Sequence, residues 1–504
     1  MSPSSAMMRR SLFKLCLILA IPVIYLLHRN EELRFPTFHS ANGGGKSGSG
    51  LFLSDVRAPP IDGNLVAQNE GISKGPWIID PPLPNRIPTG PFTIRFKCLW
   101  HVADLCPKRY IVILRGPTIY APSIETSKLD PNDGSVVTVE INVPESGQYE
   151  LYAWPDFETC PKQWREHMTY PINRGQVIGT PAHVQISGRP LVIDGFEPCV
   201  LGGPETVGRS QGRWIARSAL QSQYRQSDWA RSFPENQEYI FQPYSCKRPH
   251  RTAADIDRSS NITNILFLGD SVLRGAFCSQ VWPQLSKSGK ADGNCQFIND
   301  AMLYHVAPKD MVHETPKGQK IGLSFRFMDD HPNERVAQLA NNVPKPSHIV
   351  TNLGLWLAPF TTEQYTAIVE QFLQQLYDMF PQATVVWRTT TDVAPMIQCF
   401  SDKGMTRRVI SEQREASLKL VEQMRAKGMR IYVVDGYAMT QSRPDSGNDG
   451  RHWVVESPEE NGWLPHSRPS INEAERAVLD GVWDIIMQDE GSKSKVETAV
   501  PQWW

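Results

Sequence analysis

Three short patterns in this chain carry residue types that can do covalent chemistry together. The first is Gly269-Asp270-Ser271, followed by Val272-Leu273-Arg274-Gly275. It comes directly after the apolar run Thr263-Asn264-Ile265-Leu266-Phe267-Leu268, so Ser271 stands past a predicted strand and at a predicted helix start. A hydroxyl there faces the crevice at the strand's carboxyl end, and the first N–H groups of the helix carry partial positive charge that stabilises an oxyanion. A Gly-Asp-Ser turn that only caps a helix has the same residues, so Ser271 needs a base before it counts as a nucleophile. The second pattern, Asp449-Gly450-Arg451-His452-Trp453, supplies one. Histidine is the usual base near neutral pH, and a carboxylate on its far nitrogen orients it. Asp449 and His452 meet both needs within one turn, although alone they read as a solvated loop. The third pattern is Asn352, at the end of the strand-like Ile349-Val350-Thr351 and ahead of Leu353-Gly354-Leu355-Trp356. An amide at a strand end can donate to a developing oxyanion. Ser271, Asp449 and His452 are therefore the candidate triad, with the Ser271 N–H and Asn352 as oxyanion donors. A rival serine, Ser210 in Gly208-Arg209-Ser210-Gln211-Gly212, matches G-x-S-x-G. That elbow needs a buried strand before it, and Leu201-Gly202-Gly203-Pro204-Glu205-Thr206 cannot be one.

The elements that must position these residues alternate from about residue 250 onward. Strand-like runs at 263–268, 347–352, 383–387 and 430–435 are separated by helical stretches. Thr361 and Gln364 form a capping box ahead of a helix with Ile368, Phe372, Leu376 and Met379 on one face, stopped by Pro381. A second helix runs from about Arg408 to Lys427 and ends at Gly428. Such alternation implies an α/β domain: three layers, a mostly parallel sheet covered on both faces, and a ligand site at the strands' carboxyl ends. Residues 91–200 read differently. Phe92–Phe96, Tyr110–Leu114, Val136–Ile141 and Gln148–Trp154 are short strands between turn clusters, which predicts a β-sandwich.

Ahead of both, Leu15–Leu27 is an uncharged apolar run preceded by Arg9 and Arg10 with no acid. This predicts a cytoplasmic tail at 1–11, a signal-anchor at 12–28 and a type II orientation, with the rest of the chain in the lumen. A cleaved signal peptide is the alternative reading, but no small-residue cleavage site follows. Residues 29–90, with Gly43–Gly50 and Pro81–Pro88, read as a stem. The domain boundaries expected after it are 91–200 for the sandwich, 201–490 for the α/β domain and 491–504 for a tail. The short apolar run suits a thin early-secretory membrane, pointing to the Golgi. Outside that run, Cys98, Cys106, Cys160, Cys199, Cys246, Cys278, Cys295 and Cys399 form an even set that permits disulfides in an oxidising lumen, without fixing their pairing. Asn261-Ile262-Thr263 is a glycosylation sequon consistent with lumenal exposure. The 504 residues imply about two to four domains. A composition of 40% hydrophobic and 21% charged residues argues against a wholly disordered chain. The net charge of −1 argues against nucleic acid as a partner. No cysteine or histidine spacing supports a zinc site, so no metal is expected.

Taken together, Gly269-Asp270-Ser271-x-x-Arg274, Asn352 and Asp449-x-x-His452 resemble the SGNH/GDSL hydrolase superfamily, and more closely its PC-esterase branch. Gly212-Arg213-Trp214, Phe241–Cys246, Trp387-Arg388-Thr389-Thr390 and Arg443-x-Asp445 are similar to further motifs of that branch, over roughly 200–485. The sandwich resembles a neurexophilin-like module in its placement. The resemblance implies acyl transfer, usually of acetyl, to glycan hydroxyls through an acyl-Ser271 intermediate. It equally admits a carbohydrate acetylesterase with the same triad; a non-catalytic glycan- or protein-binding module is a further alternative. No bound cofactor is implied; a transferase takes an acyl donor, such as acetyl-CoA or another acetyl ester, as co-substrate. Arg274, Arg388 and Arg443 are candidates to hold the substrate. Typical members also have a second-block glycine that supplies an oxyanion N–H; Gly322 and Gly275 are the positions considered for it.

Overall fold

The structure, a computed structural model, describes residues 74–158, 176–289, 308–453 and 473–498, apart from breaks of one to six residues. The signal-anchor, the tail before it and most of the stem lie outside these residues; the last part of the expected stem, from 74, is not stem but supplies the strands Lys74–Ile79 and Arg86–Ile87 to the sandwich, where Trp77 and Ile87 are buried. Among the described residues no helix is long and apolar enough to cross a membrane.

The first half is a sandwich of two sheets. The five-stranded sheet has the order Ser127–Leu129, Val136–Val143, Gly90–Cys98, Lys74–Ile79, Gln176–Ile178. Val136–Val143 shows why these are strands: Val137, Val139, Ile141 and Val143 are buried while Glu140 and Asn142 face solvent. The seven-stranded sheet has the order Tyr239–Pro243, Gly212–Ala216, Thr118–Tyr120, Arg109–Arg115, Gly147–Asp156, Ala182–Ile186, Arg86–Ile87. Phe96, Leu114, Val139 and Leu151 are among the side chains that fill the space between the sheets.

The boundary expected at residue 200 does not hold. Gly212–Ala216 and Tyr239–Pro243 come from beyond it and complete the seven-stranded sheet, with Trp214 opposite both Ile119 and Phe241. The physical reason is that this sheet is buried on both faces. Tyr110, Val112 and Leu114 point into the sandwich, whereas Ile111 and Ile113 point outward into a core shared with Trp214, Phe241 and the second half of the chain. A strand buried on both sides is continuously apolar, as Tyr110–Leu114 is.

The second half is a three-layer α/β domain. Its strands are β1 (Asn264–Gly269), β2 (Lys309–Glu314), β3 (Lys320–Phe327), β4 (His348–Thr351), β5 (Thr384–Arg388) and β6 (Ile431–Val434). They pair in the order β2-β3-β1-β4-β5-β6, all parallel except β2, which is an antiparallel edge. Its helices include α1 (Ser271–Ala276), α2 (Thr362–Met379), α3 (Arg407–Ala426), α4 (Gly436–Thr440) and α5 (Glu473–Thr498), among further short ones such as Pro332–Ala337. α2 and α3 cover one face, where Val369, Phe372 and Leu376 meet Leu266, Ile349 and Val385. α1 and α5 cover the other, where Leu273, Val478 and Val482 meet Phe267, Val350 and Val434. Each such side chain contributes roughly 1.5–3 kcal/mol on burial. Thr361 and Gln364 cap α2 reciprocally, and Gly428 follows α3 at φ +97°, which suits glycine. α5 runs past residue 490, so the tail expected from 491 begins as helix. Disulfides join Cys98 to Cys106 and Cys199 to Cys246, and Cys278 is also disulfide-bonded.

Candidate active site

β1 sits where the strand order reverses, with β3 on one side and β4 on the other. The chains leaving its two neighbours diverge, which opens a crevice at the carboxyl ends. Ser271 enters this crevice as the first residue of α1. Asp270 caps that helix, with Oδ1 accepting from the Val272 N–H at 2.9 Å. The same Oδ1 accepts from the Asn352 amide nitrogen at 3.2 Å, just past the end of β4. Asn352 therefore reaches the site, and one of its two amide hydrogens braces the cap of the Ser271 helix. Only glycine fits at 269: a Cβ there would lie 2.0 Å from Asn352 Oδ1.

The candidate base, His452, comes from the loop after α4. His452 Nε2 lies 2.8 Å from Ser271 Oγ, and His452 Nδ1 lies 2.9 Å from Asp449 Oδ2. Asp449 Oδ1 accepts from the backbone N–H of His452 at 2.9 Å and of Arg451 at 3.1 Å. Burial pushes the Asp449 carboxyl up, but the hydrogen bond and charge of His452, with Arg451 behind it, outweigh burial and hold it well below the ordinary carboxylate range. The loop is fixed to the segment after β5. The Ala394 N–H donates to the Gly450 carbonyl at 2.7 Å, and Trp453 Nε1 donates to the Asp392 carbonyl at 3.1 Å. Gly450 takes φ +92° in this turn, a conformation glycine adopts without strain. The His452 side chain is 22% exposed, so the serine–histidine pair opens to solvent.

An aromatic pair past the carboxyl ends of β3 and β4 goes unread in the sequence. Phe327 ends β3, and Trp356 follows β4 in the turn Leu355–Leu357; their rings meet edge to face at 5.9 Å. Trp356 is 42% exposed, an unusual state for an indole. The guanidinium of Arg274 lies 6.0 Å from the Phe327 ring. The available signal is the position of Trp356, four residues after Asn352 at the mouth of the same strand.

Two of the three substrate arginines are placed elsewhere. Arg388 is fully buried and doubly paired with Glu475 of α5, with both nitrogen–oxygen distances at 2.6 Å. Arg443 is also fully buried, paired with Asp445 and Glu473 and stacked over Trp214 at 4.6 Å and Tyr239 at 5.0 Å. Each neutralises carboxylates inside the protein, so neither can meet a substrate. Arg274 is 6% exposed on α1, the helix that Ser271 opens. Neither second-block glycine serves. The Gly322 N–H is spent on the Thr263 carbonyl at the opposite end of the sheet, and Gly275 is inside α1. Ser210 and Asn261 lie outside the described residues, and Pro204–Val207 ahead of Ser210 is a short helix. Among the described residues, Asp329, Asp330 and His331 bring ligand atoms within 4.8 Å of one another, but Asp329 already binds Arg335 and His331 binds Asp330.

No family model matches the chain, and no curated protein matches it. Among solved structures it is similar to the salicylyl-acyltransferase SsfX3 from a tetracycline biosynthetic pathway, at 14% identity over 48% of this chain and 56% of that one, TM-score 0.26. It is similar to a carbohydrate esterase family 3 protein from Talaromyces cellulolyticus, at 14% identity over 45% of this chain and 99% of that one, TM-score 0.29. A lipase/acylhydrolase from Enterococcus faecalis is similar at 13% identity over 46% of this chain and 97% of that one, TM-score 0.27.

Proposed function

We propose that the chain is a serine-dependent acyl-transfer enzyme of the SGNH kind that moves an acetyl group onto carbohydrate hydroxyls. The observation that carries this reading is the hydrogen-bonded line from Ser271 Oγ through the His452 ring to Asp449. Ser271 Oγ attacks the ester carbonyl while His452 Nε2 takes its proton. The negative charge on the former carbonyl oxygen falls beside the start of α1, where the Ser271 N–H and the second Asn352 amide hydrogen serve as donors. The donor's alcohol leaves with the proton from His452. A sugar hydroxyl, deprotonated by the same ring, then takes the acetyl group from Ser271, whose Oγ leaves with that proton and is restored as the hydroxyl. The exposed Trp356 is a flat apolar platform for that sugar. Hydrolysis is the second reading, favoured by the partial exposure of His452, which admits water as acceptor. A retired, purely binding protein is disfavoured, because serine, histidine and aspartate are all three present and joined in one hydrogen-bonded line. The paired cysteines support an oxidising compartment, in line with a Golgi-lumenal, type II arrangement.

The test is covalent trapping. A fluorophosphonate should label Ser271 in the full chain, and Ser271→Ala should abolish labelling; no labelling of Ser271 refutes the proposal. Glycan mass spectrometry of cells lacking the protein separates the two readings: O-acetyl groups are lost if it transfers and accumulate if it hydrolyses.

A further inference from the structure

A cavity of about 520 Å³ lies where the sandwich meets the α/β domain, apart from the triad. Its size is within the range of ~300–1,000 Å³ typical of ligand sites. One wall is the edge of the seven-stranded sheet and the turn after it, with Tyr120, Trp214 and Tyr244; the other is the first half of α3, with Tyr437 and Ala438 of α4 and the two residues that follow it, Gln441 and Ser442. α4 follows the carboxyl end of β6, three strands from β1. At ~4.8 Å per strand, β6 lies about 14 Å across the sheet from β1, the strand that Ser271 follows.

The lining chemistry narrows the ligand. Two carboxylates, Glu125 and Glu415, stand against one guanidinium, Arg414, and that guanidinium is already held by Asp435 and Glu415. Arg213, beneath Tyr244, is committed to Glu145 and the Val192 carbonyl. An anionic ligand would therefore meet net negative charge. An acyl chain would bury Ser411, Gln441, Ser442 and the carboxylates against hydrocarbon, which is costly. A neutral polyhydroxylated ligand fits both constraints. Its C–H faces stack on the tyrosine rings, and its hydroxyls pair with planar amide and carboxylate groups. We infer that this interdomain cavity binds a neutral segment of an oligosaccharide and anchors the same chain that Ser271 modifies. The inference rests on the carbohydrate reading of the triad. The sandwich then contributes to catalysis, because binding energy from a remote part of the substrate holds the reacting hydroxyl in place.

The test uses full-length Ser271→Ala protein and calorimetric titration with cellohexaose, xylohexaose, mannohexaose and chitohexaose, with a heparin hexasaccharide and decanoate as contrasts. At least one neutral hexasaccharide should bind. Tyr120→Ala and Gln441→Leu should each weaken it at least tenfold. Glu125→Ala, at an exposed position that removes little packing, should weaken it several-fold, with the fold checked by circular dichroism. Binding by heparin or decanoate alone overturns the inference, as does absence of any binding or binding unchanged in all three variants. Fluorophosphonate labelling of Ser271 in the unmodified chain is read separately, so failure of this site and failure of the proposed enzyme are distinguishable.

Discussion

Replacing Arg388 with Met separates a structural arginine from a substrate-binding one. Arg388 and Glu475 are both completely buried and face each other through two 2.6 Å contacts. Burial raises the Glu475 carboxyl, Arg388 lowers it again, and the charge of Asp270 adds a smaller rise, leaving it at about 7 instead of 4.5. A raised carboxyl means that the fold prefers the protonated form. Its contribution to stability is present below pH 4.5 and is lost as pH rises to about 7. Removing Arg388 deletes the one opposing influence, so the carboxyl rises further. At pH 8 the variant must bury a bare carboxylate or hold a proton against solvent, which costs about 3–5 kcal/mol. At pH 5 the folded variant keeps the proton readily, and the loss shrinks to about 1 kcal/mol. Urea denaturation followed by tryptophan fluorescence at both pH values measures this difference. Arg388→Met with Glu475→Met removes both charges and should recover most of the loss. An equal loss at both pH values would refute the reasoning. So would unchanged stability with a raised KM for a sugar substrate, the signature of an arginine that touches substrate.

Other expectations follow from the same site. Asp449→Asn should leave the fold intact and lower kcat by about 10⁴-fold, because the amide favours the wrong histidine tautomer; stopped-flow acylation with an aryl acetate measures it. The depressed carboxyl of Asp449 stabilises the fold above the unfolded value of 3.8 and loses that effect as pH falls below it, so Asp449→Asn should flatten the acid limb of a thermal denaturation series. Gly269→Ala pushes a methyl into Asn352 and Leu273 at a cost of about 1–3 kcal/mol and should displace the cap of α1; fluorophosphonate labelling should slow more than the melting temperature falls. Trp356→Ala should raise KM for an acetylated oligosaccharide at least tenfold more than for a small aryl ester, with little effect on thermal melting.

Local features make much of this protein readable. The strand before Ser271 announces itself by an unbroken apolar run, and Gly269-Asp270-Ser271 and Asp449-x-x-His452 are each short enough to recognise in one window. The meeting of serine and histidine needs only their shared address at strand carboxyl ends, which the parallel order of β1, β4, β5 and β6 imposes. The hairpin of β2 and β3 goes unread, although Ile321, Leu323, Phe325 and Phe327 alternate cleanly into the core. Asn352 stands where its strand predicts, but its contact with Asp270 depends on an approach that only the absent side chain of Gly269 permits. The shared core between the halves is hidden for another reason. Gly212–Ala216 pairs with Thr118–Tyr120, nearly a hundred residues back, and no local pattern encodes such a pairing.

The misread arginines have a single cause, and it lies in α5. This helix carries Val478, Val482, Ile485 and Ile486 into the core, yet Glu473, Glu475, Asp480, Asp484 and Asp489 are buried beside them. Each acid meets a base from elsewhere in the chain: Arg443, Arg388, His250, Arg251 and Arg430 respectively. Read in sequence, the arginines look like cations waiting for a ligand, because the acids that hold Arg443 and Arg388 lie 30 and 87 residues further on. Acid and arginine are halves of one arrangement, since a charge leaves water only when its partner comes along. Arg443 shows what this arrangement accomplishes. While neutralising Glu473 it also stacks on Trp214 and Tyr239 of the seven-stranded sheet, so the same pair that buries α5 fastens the sandwich to the domain that holds Ser271.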